Sequence, residues 1–372
     1  MKKIIVIGAG ILGASTAYQL VKSGAEVLIV DRNDKGQATD AAAGIICPWL
    51  SQRRNMAWYE LAKAGARFYP SLVEELEKDG EIKTGYAKVG ALSLQKDPEK
   101  LGKMAKRGYA RRENAPEVGQ IHEFDQQKTI SLFPPLDDEF SSVYVSGGAR
   151  VDGRALRNSL LSAAQKHGAT LINGDASLSS EENTITGVHV GNDFHKADSV
   201  IVCAGAWAAE LFKPLGVNFK VTFQKAQIAH LKIPDANTEK WPVVMPPGSQ
   251  YLLAFENGRM VAGATHEDTD QFDARITAGG LQEIFNKVLE TAPGLADSTF
   301  VEARSGFRPF TPGYLPVIGP LPGWTGIFVA NGLGASGLTM GPYIGAELAK
   351  LALGQDLEIN LENYPVAGAL EN

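Results

Sequence analysis

Cysteine is scarce in this chain: Cys47 and Cys203 are the two in 372 residues. Two cysteines without metal-ligand spacing supply neither a disulfide framework nor a thiolate metal site. The six histidines are scattered, with no partner one helical turn away, so no metal centre is expected. Positive charge is not in excess. There are 36 Lys and Arg against 42 Asp and Glu, a net charge of -6, which argues against a basic groove for nucleic acid. The densest basic cluster, Lys103, Lys106, Arg107, Arg111 and Arg112, reads as the solvated face of a helix. No apolar run approaches the roughly 18 residues that a membrane span needs. The opening "MKKIIVIGAG" passes into glycines instead of a long apolar leader core, so a cytoplasmic location is expected.

Glycine, by contrast, is plentiful, with 40 residues, and two glycine-rich runs carry the chemistry. The first is "IIVIGAGILGASTAYQLVKSGAEVLIVDR". Its apolar run at 4–7 suits a parallel strand buried on both faces. Gly8, Gly10 and Gly13 follow in G-x-G-x-x-G spacing: the first for a tight turn, the second for close approach of a pyrophosphate, the third for helix–strand packing. Ala14, Ala17, Tyr18 and Val21 then keep helical period to a stop at Gly24. A second apolar strand, 27–30, ends at Asp31, where a carboxylate can accept ribose hydroxyls. Arg32 follows, but Asp31 would repel a 2′-phosphate, which disfavours NADP. A strand before, a helix after and an acid at the right distance make this a dinucleotide site.

The second run, "GIFVANGLGASGLTMGPYIGAELAKLALG", reads as a strand at 327–330, a glycine loop through Gly332, Gly334 and Gly337, and a helix at 338–353. Ile344, Leu348, Leu351 and Ala352 lie on one helix face. A second helix N-terminus offers free N–H donors and partial positive charge. An NAD dehydrogenase has no general need of one at the far end of the chain. In a flavoprotein, one terminus holds the pyrophosphate and the other faces the flavin edge where negative charge develops.

The chain resembles, essentially end to end, the D-amino acid oxidase superfamily of FAD enzymes, in the branch with glycine oxidase, sarcosine oxidase and D-amino acid dehydrogenase. The likeness rests on "GAGILG…VDR", "ATDAAAGII", "GGARVDGRALRNSLLSAAQKHGA", "VIVCAGAWA", "YLLAFENGRMVAGATHED" and "GFRPFTPGYLPVIG", in that order. It implies an α/β fold: a Rossmann-type FAD-binding domain interleaved with an α+β substrate domain on a mostly antiparallel sheet. The FAD domain is expected to collect 1–85, 145–215 and 300–372, and the substrate domain 86–144 and 216–299. In the latter, "VTFQKAQIAHLKI" alternates as a half-exposed strand should, and Glu256-Asn257-Gly258 reads as a hairpin turn. Cofactor contacts are implied at Gly8, Gly10, Ile11, Leu12, Gly13, Asp31, Arg32, Thr39, Ala42, Ala43, Gly44, Ser177, Ala204, Gly205 and Trp207. Further along they are implied at Gly306, Arg308, Gly334, Ala335, Ser336, Gly337, Leu338 and Thr339.

Arg308 is the strongest candidate for the substrate. Flanked by Phe307 and Pro309, its planar fork suits a carboxylate, and the resemblance assigns it that role; the bland alternative pairs it with Glu302, and Arg304 competes with it. The resemblance also places Tyr251 and His266 at the active site. The chain departs from the pattern at Thr311-Pro312-Gly313, where the family has T-P-D, and at Ala38-Thr39-Asp40, where it has A-T-S. It departs again at Gly332-Leu333, where the family has Gly-His. Gly306 stands where sarcosine oxidases carry a flavin-linking cysteine, so noncovalent FAD is expected; near Val261 they carry an oxygen-activating lysine. The expected reaction is oxidation of a small amine or amino acid, with hydride passing to flavin N5, an imine hydrolysing to a 2-oxo acid, and oxygen or another acceptor reoxidising the flavin. A 2-hydroxy acid or polyol-phosphate dehydrogenase and a flavin subunit of a larger complex are the alternatives. A homo-oligomer is compatible with either.

Overall fold

The computed structural model describes residues 1–371. The first apolar run forms Lys3–Ile7, central in a six-stranded sheet. Glu26–Asp31 and Ser199–Val202 flank it in parallel. Thr170–Asn173 and Ile327–Asn331 extend the parallel array on either side, and Val317–Pro320 closes one edge antiparallel. Side chains alternate across the pleat. Ile4 and Val6 pack into a core shared with helices, and Ile5 and Ile7 pack into a second core with Ile185 and Val188 of a three-stranded antiparallel sheet. Both faces are thus covered, as a parallel sheet requires.

Helices Ile11–Lys22 and Gly337–Leu353 lie against each other on the first face. Their axes approach closely because Gly341 and Gly345, one turn apart, present no side chain. A Cβ on Gly345 would stand 2.8 Å from both Ser15 Cβ and the Thr16 backbone nitrogen, and one on Gly341 would stand 3.0 Å from Ile11 Cγ2. Gly337–Leu353 was expected to bury one face, yet Leu338 to Ala349 are buried without a break. Ile11–Lys22, Met56–Lys78 and the sheet enclose it.

The second layer is a nine-stranded, mostly antiparallel sheet. Thr222–Lys232 pairs with Thr299–Phe310 on one side and with Arg259–Gly263 and Glu267–Thr269 on the other. Tyr251–Ala254, Val243–Met245, Ala91–Gln95, Ser141–Val145 and Ile121–Phe124 continue the sheet. The hairpin expected at Glu256-Asn257-Gly258 is present, with Asn257 at φ 58° and Gly258 at φ 73°, as a tight turn between twisted strands demands. Helix Ala278–Thr291 backs the sheet through Ile284 and Val288, and Ala226, Ile228 and Val261 face the first layer.

Three expectations need correction. Thr222–Lys232 is not half-exposed: Lys225 to Leu231 are buried throughout, because neighbouring strands flank it and packed layers cover both faces. Of the basic cluster on helix Pro98–Arg112, Arg107 and Arg111 turn inward to donate to the carbonyls of Leu50, Pro48 and Trp49. The boundary expected at 300 cuts no linker, since Thr299–Phe310 pairs along its length with Thr222–Lys232. We infer the same interleaved division with residues 299–310 assigned to the substrate-side sheet.

Gly345→Val should destabilise the fold by about 1–3 kcal/mol through overpacking. Gly102→Ala, mid-helix with nothing within 4 Å of the new Cβ, should stabilise it by about 1 kcal/mol; denaturant unfolding of both variants checks the pair. His230 gives a pH signature. Burial, then Arg304, push its pKa down to about 4. Between pH 6.5 and about 4 the unfolded chain therefore binds the extra proton and stability falls as pH falls. His230→Gln should flatten that limb of a stability–pH curve.

Candidate active site

One elongated cavity of about 700 Å³ runs across the C-terminal ends of the parallel strands and continues between the two layers. This is where an open α/β sheet places its ligand. At one end, Gly8 (φ 100°) donates its N–H to Val30 O at 2.8 Å and completes the turn out of the strand. A Cβ on Gly13 would stand 1.8 Å from Gly8 O, so Gly13 serves helix–strand packing. Gly10 faces the cavity: a Cβ there would meet only Thr39 Oγ1, at 3.4 Å. The N-cap residue Gly10 has no side chain to cap the helix that starts at Ile11, and the positive end of that helix faces the cavity, where it favours an anion. Ile11 N–H donates to Thr39 Oγ1 at 3.0 Å and ties that helix to the segment at 38–44.

Asp31 lines the same end. Its carboxylate accepts from Ala9 and Asn33 N–H, both at 2.6 Å, and from Gln37 Nε2 at 2.9 Å. Arg32 is surrounded by acids, Asp34 at 2.9 Å and Asp175 and Glu210 at 3.4 Å, a setting hostile to a 2′-phosphate. Asp40 turns away from the cavity onto Arg157 at 2.5 Å and Arg154 at 3.6 Å, which explains how a carboxylate is tolerated in "ATD".

At the other end, Gly337–Leu353 begins without a side-chain cap, so a second helix N-terminus opens on the cavity. Gly306, Gly334, Ala335, Gly337, Leu338 and Thr339 line it. Thr339 Oγ1 donates to Ile45 O at 2.9 Å. Asn331, unmarked in the sequence reading, is buried; its Nδ2 donates to Gly205 O at 2.8 Å and its Oδ1 accepts from Gly332 N–H at 2.7 Å. It ties the turn at Gly205 to the glycine loop that begins at Gly332. A polar residue ending an apolar strand just before a glycine was the signal for it.

Of the residues expected to touch cofactor, Ile11, Leu12, Thr39, Ala42, Ala43, Gly44, Ser177, Ala204, Gly205 and Trp207 also form the wall. Ser336 does not, because it lies in the turn just before the helix; Gly13 stays behind the wall for the packing reason above. Val261 is buried in the sheet, off the wall.

Tyr251, His266 and Arg308 meet on the substrate-side wall. Arg308 reaches Gln224 Oε1 at 3.5 Å and lies close to the Tyr251 hydroxyl. Gln224 is oriented by donating from Nε2 to Asp268 at 2.9 Å. Among the described residues no carboxylate pairs with Arg308; Glu302 is taken by Arg304 instead, with Nε–Oε1 at 2.9 Å. Burial lowers the Arg308 pKa, and burial pushes the Tyr251 phenol up to about 12 against the opposing effect of Arg308. Burial, then Arg308, hold the His266 pKa below its ordinary value, so the ring is neutral at pH 7.

Two helix N-termini, a glycine turn and a ribose-acceptor acid on one elongated cavity fit FAD. The sequence model of the DAO family, FAD dependent oxidoreductase, matches residues 3–351. The chain belongs to this family. Uncharacterized oxidoreductase YurR of Bacillus subtilis (strain 168) is 61% identical over 371 residues, 100% of each chain. Glycine oxidase of Pseudomonas aeruginosa is 29% identical, covering 99% of this chain and 100% of the relative. Among solved structures, iminodiacetate oxidase (IdaA) from Chelativorans sp. BNC1 superposes with a TM-score of 0.95 at 45% identity, over 97% of this chain and 98% of that one. The protein is thus an FAD-dependent oxidoreductase.

Asp31→Ala removes the acceptor expected for the ribose hydroxyls. The dissociation constant for FAD should rise about 10- to 100-fold, read by flavin fluorescence on titrating the apoprotein.

Proposed function

We propose that the protein oxidises a small α-amino acid or N-substituted glycine, with Arg308 binding its carboxylate. The observation that carries this reading is the Arg308 guanidinium, half-buried in the cavity wall with, among the described residues, only the neutral neighbours Gln224 and Tyr251. A desolvated cation without a protein anion favours an anionic ligand, and a fork geometry selects a carboxylate. Tyr251 sits beside Arg308, where a protonated phenol can donate to a second carboxylate oxygen. Neutral His266 lies on the same wall and adds no positive charge, so an amine is not repelled.

Gly8, Gly10, Asp31, Thr39 and the two helix ends would hold the FAD, which supplies the acceptor for the hydrogen on the substrate α-carbon. The flavin is read as noncovalent. Gly306 offers no nucleophile, and burial keeps the Cys203 thiol protonated, with its pKa raised to about 12. The protein's own contribution is orientation: it fixes the carboxylate, excludes water around the α-carbon and requires no side-chain base when the amine arrives neutral. The relatives named glycine oxidase and iminodiacetate oxidase both act on glycine-type amines, which supports this substrate class over 2-hydroxy acids and polyol phosphates. Few basic residues stand near Arg308 to receive a phosphate.

Anaerobic titration of the purified flavoprotein with glycine, sarcosine, iminodiacetate, D- and L-proline, D-alanine and lactate should bleach the flavin band with an amine and not with lactate. Admitting air then reports whether oxygen is the acceptor. Arg308→Ala should lower kcat/KM for the reducing amine about 10²- to 10³-fold, and Arg308→Lys should recover little of it because it loses the planar fork. Bleaching by lactate alone, or full activity in Arg308→Ala, would overturn the reading.

A further inference from the structure

Gln227 is completely buried in the middle of Thr222–Lys232, yet every polar atom of its side chain is used. Its backbone N–H donates to Thr265 Oγ1 at 2.8 Å. Its Nε2 donates to Glu267 Oε1 at 2.7 Å and to Thr277 Oγ1 at 3.0 Å. Its Oε1 accepts from Thr277 N–H at 2.8 Å. Thr265 Oγ1 also donates to Glu267 Oε1 at 2.7 Å, and Lys225, buried beside Gln227, stands 3.7 Å from Glu267 Oε2. The two ends of segment 265–277 are therefore joined through one residue. Between those ends the segment carries the short edge strand Glu267–Thr269 and then an irregular excursion back to Thr277.

The contents of that loop connect it to the active site. His266 lies between the two residues that Gln227 engages at the neck, and it lines the cavity beside Arg308. At the tip, Phe272 stacks on Phe223 at 4.3 Å and on Trp207 at 5.0 Å, and Trp207 is itself part of the cavity wall. Ser305 Oγ donates to Ala274 O at 2.6 Å and pins the returning limb to the strand that carries Arg308. Space for Gln227 is reserved on the facing helix: a Cβ on Gly280 would stand 2.3 Å from its Nε2.

We propose that Gln227 is a positioning residue, the clasp that closes the neck of the 265–277 loop and so sets the place of His266 beside Arg308. The inference rests on the substrate-side reading above. Gln227 touches neither the cavity nor the reacting atoms; its side chain acts through Glu267 and Thr277, while its backbone alone pairs with Thr265. Loosening it displaces His266 and enlarges the substrate end, while the strand that carries Arg308 and the two helix ends are held by separate contacts. Loss should therefore appear in substrate binding rather than in the chemical step.

The test uses the full-length, FAD-loaded protein with glycine, sarcosine and iminodiacetate as probes. Gln227→Leu should raise KM about tenfold and leave kcat within about twofold. In hydrogen–deuterium exchange the 265–277 segment should exchange about tenfold faster, with 299–310 and 337–353 unchanged. Gln227→Glu sets two carboxylates against each other and should show the same loss. The exchanged pair Gln227→Glu with Glu267→Gln restores a donor facing a carboxylate and should recover at least half of it. If Gln227→Leu does not fold, Thr277→Val, which removes one side-chain partner at the far end of the loop, should raise KM and local exchange by smaller factors. Unchanged KM and exchange in these variants, exchange rising equally across the whole nine-stranded sheet, or no recovery in the exchanged pair would each overturn the proposal. A wild-type flavin that none of the amines reduces would defeat the functional reading alone, since local exchange and its recovery in the exchanged pair still judge the clasp.

Discussion

The close contact between helices Ile11–Lys22 and Gly337–Leu353 is the constraint on which the site depends. Their first turns come from opposite ends of the chain. Only because Gly341 and Gly345 carry no Cβ can the second helix settle onto Leu12, Ser15 and Thr16 and bring both N-termini to one cavity. A dipole end that its N-cap residue does not cap is a weak feature alone. Two of them on one cavity form a binding site for a cofactor that is anionic at one end and accepts negative charge at the other.

Charge placement keeps the two layers in register over that site. Arg150 is fully buried, pairs with Glu256 at 2.9 Å and lies over the Phe255 ring at 4.6 Å. Asp152 meets Arg259 at 2.7 Å. Burial works against the charge on Asp152, but Ala155 N–H and Arg259 more than offset it and its pKa falls below the ordinary carboxylate range. Each pair joins the segment before helix Gly153–Lys166 to the hairpin of the nine-stranded sheet. Breaking one would strand a desolvated charge. Arg308 contrasts with them, since its neighbours are neutral. The fully buried Arg150 has its acid, whereas the half-buried Arg308 at the cavity has none among the described residues, in keeping with the carboxylate ligand proposed for it.

Much of this was legible in the residues. Gly8, Gly10, Gly13 and Asp31 declared the nucleotide turn, because strand, glycine spacing and terminal acid are contiguous and each has a local steric cause. The second glycine loop and its helix were legible for the same reason. Arg308 stood out as a cation among apolar and turn residues. Other features were not. The choice between Arg304 and Arg308 turned on where Glu302 points, a tertiary fact. The alternation in "VTFQKAQIAHLKI" suggested a half-exposed strand, because periodicity reports polarity and cannot report that Lys225, Gln227 and His230 find buried partners or neutralise. Asn331 and Gln227 carry ordinary amides whose importance comes entirely from what reaches them.

The sequence by itself determined the local geometry: two strand–glycine–helix units, an acid at a strand end, a hairpin at Asn257-Gly258, and an interleaved order of apolar segments. These follow from backbone sterics and periodicity, which act over a few residues. Tertiary structure alone decided which arginine is left without an acid, why Asp40 is harmless beside Arg154 and Arg157, and how Tyr251, His266 and Arg308 come to share one wall. Those outcomes depend on desolvation and on charges and donors tens to hundreds of residues away in the chain, and such contacts exist only once the two layers have closed.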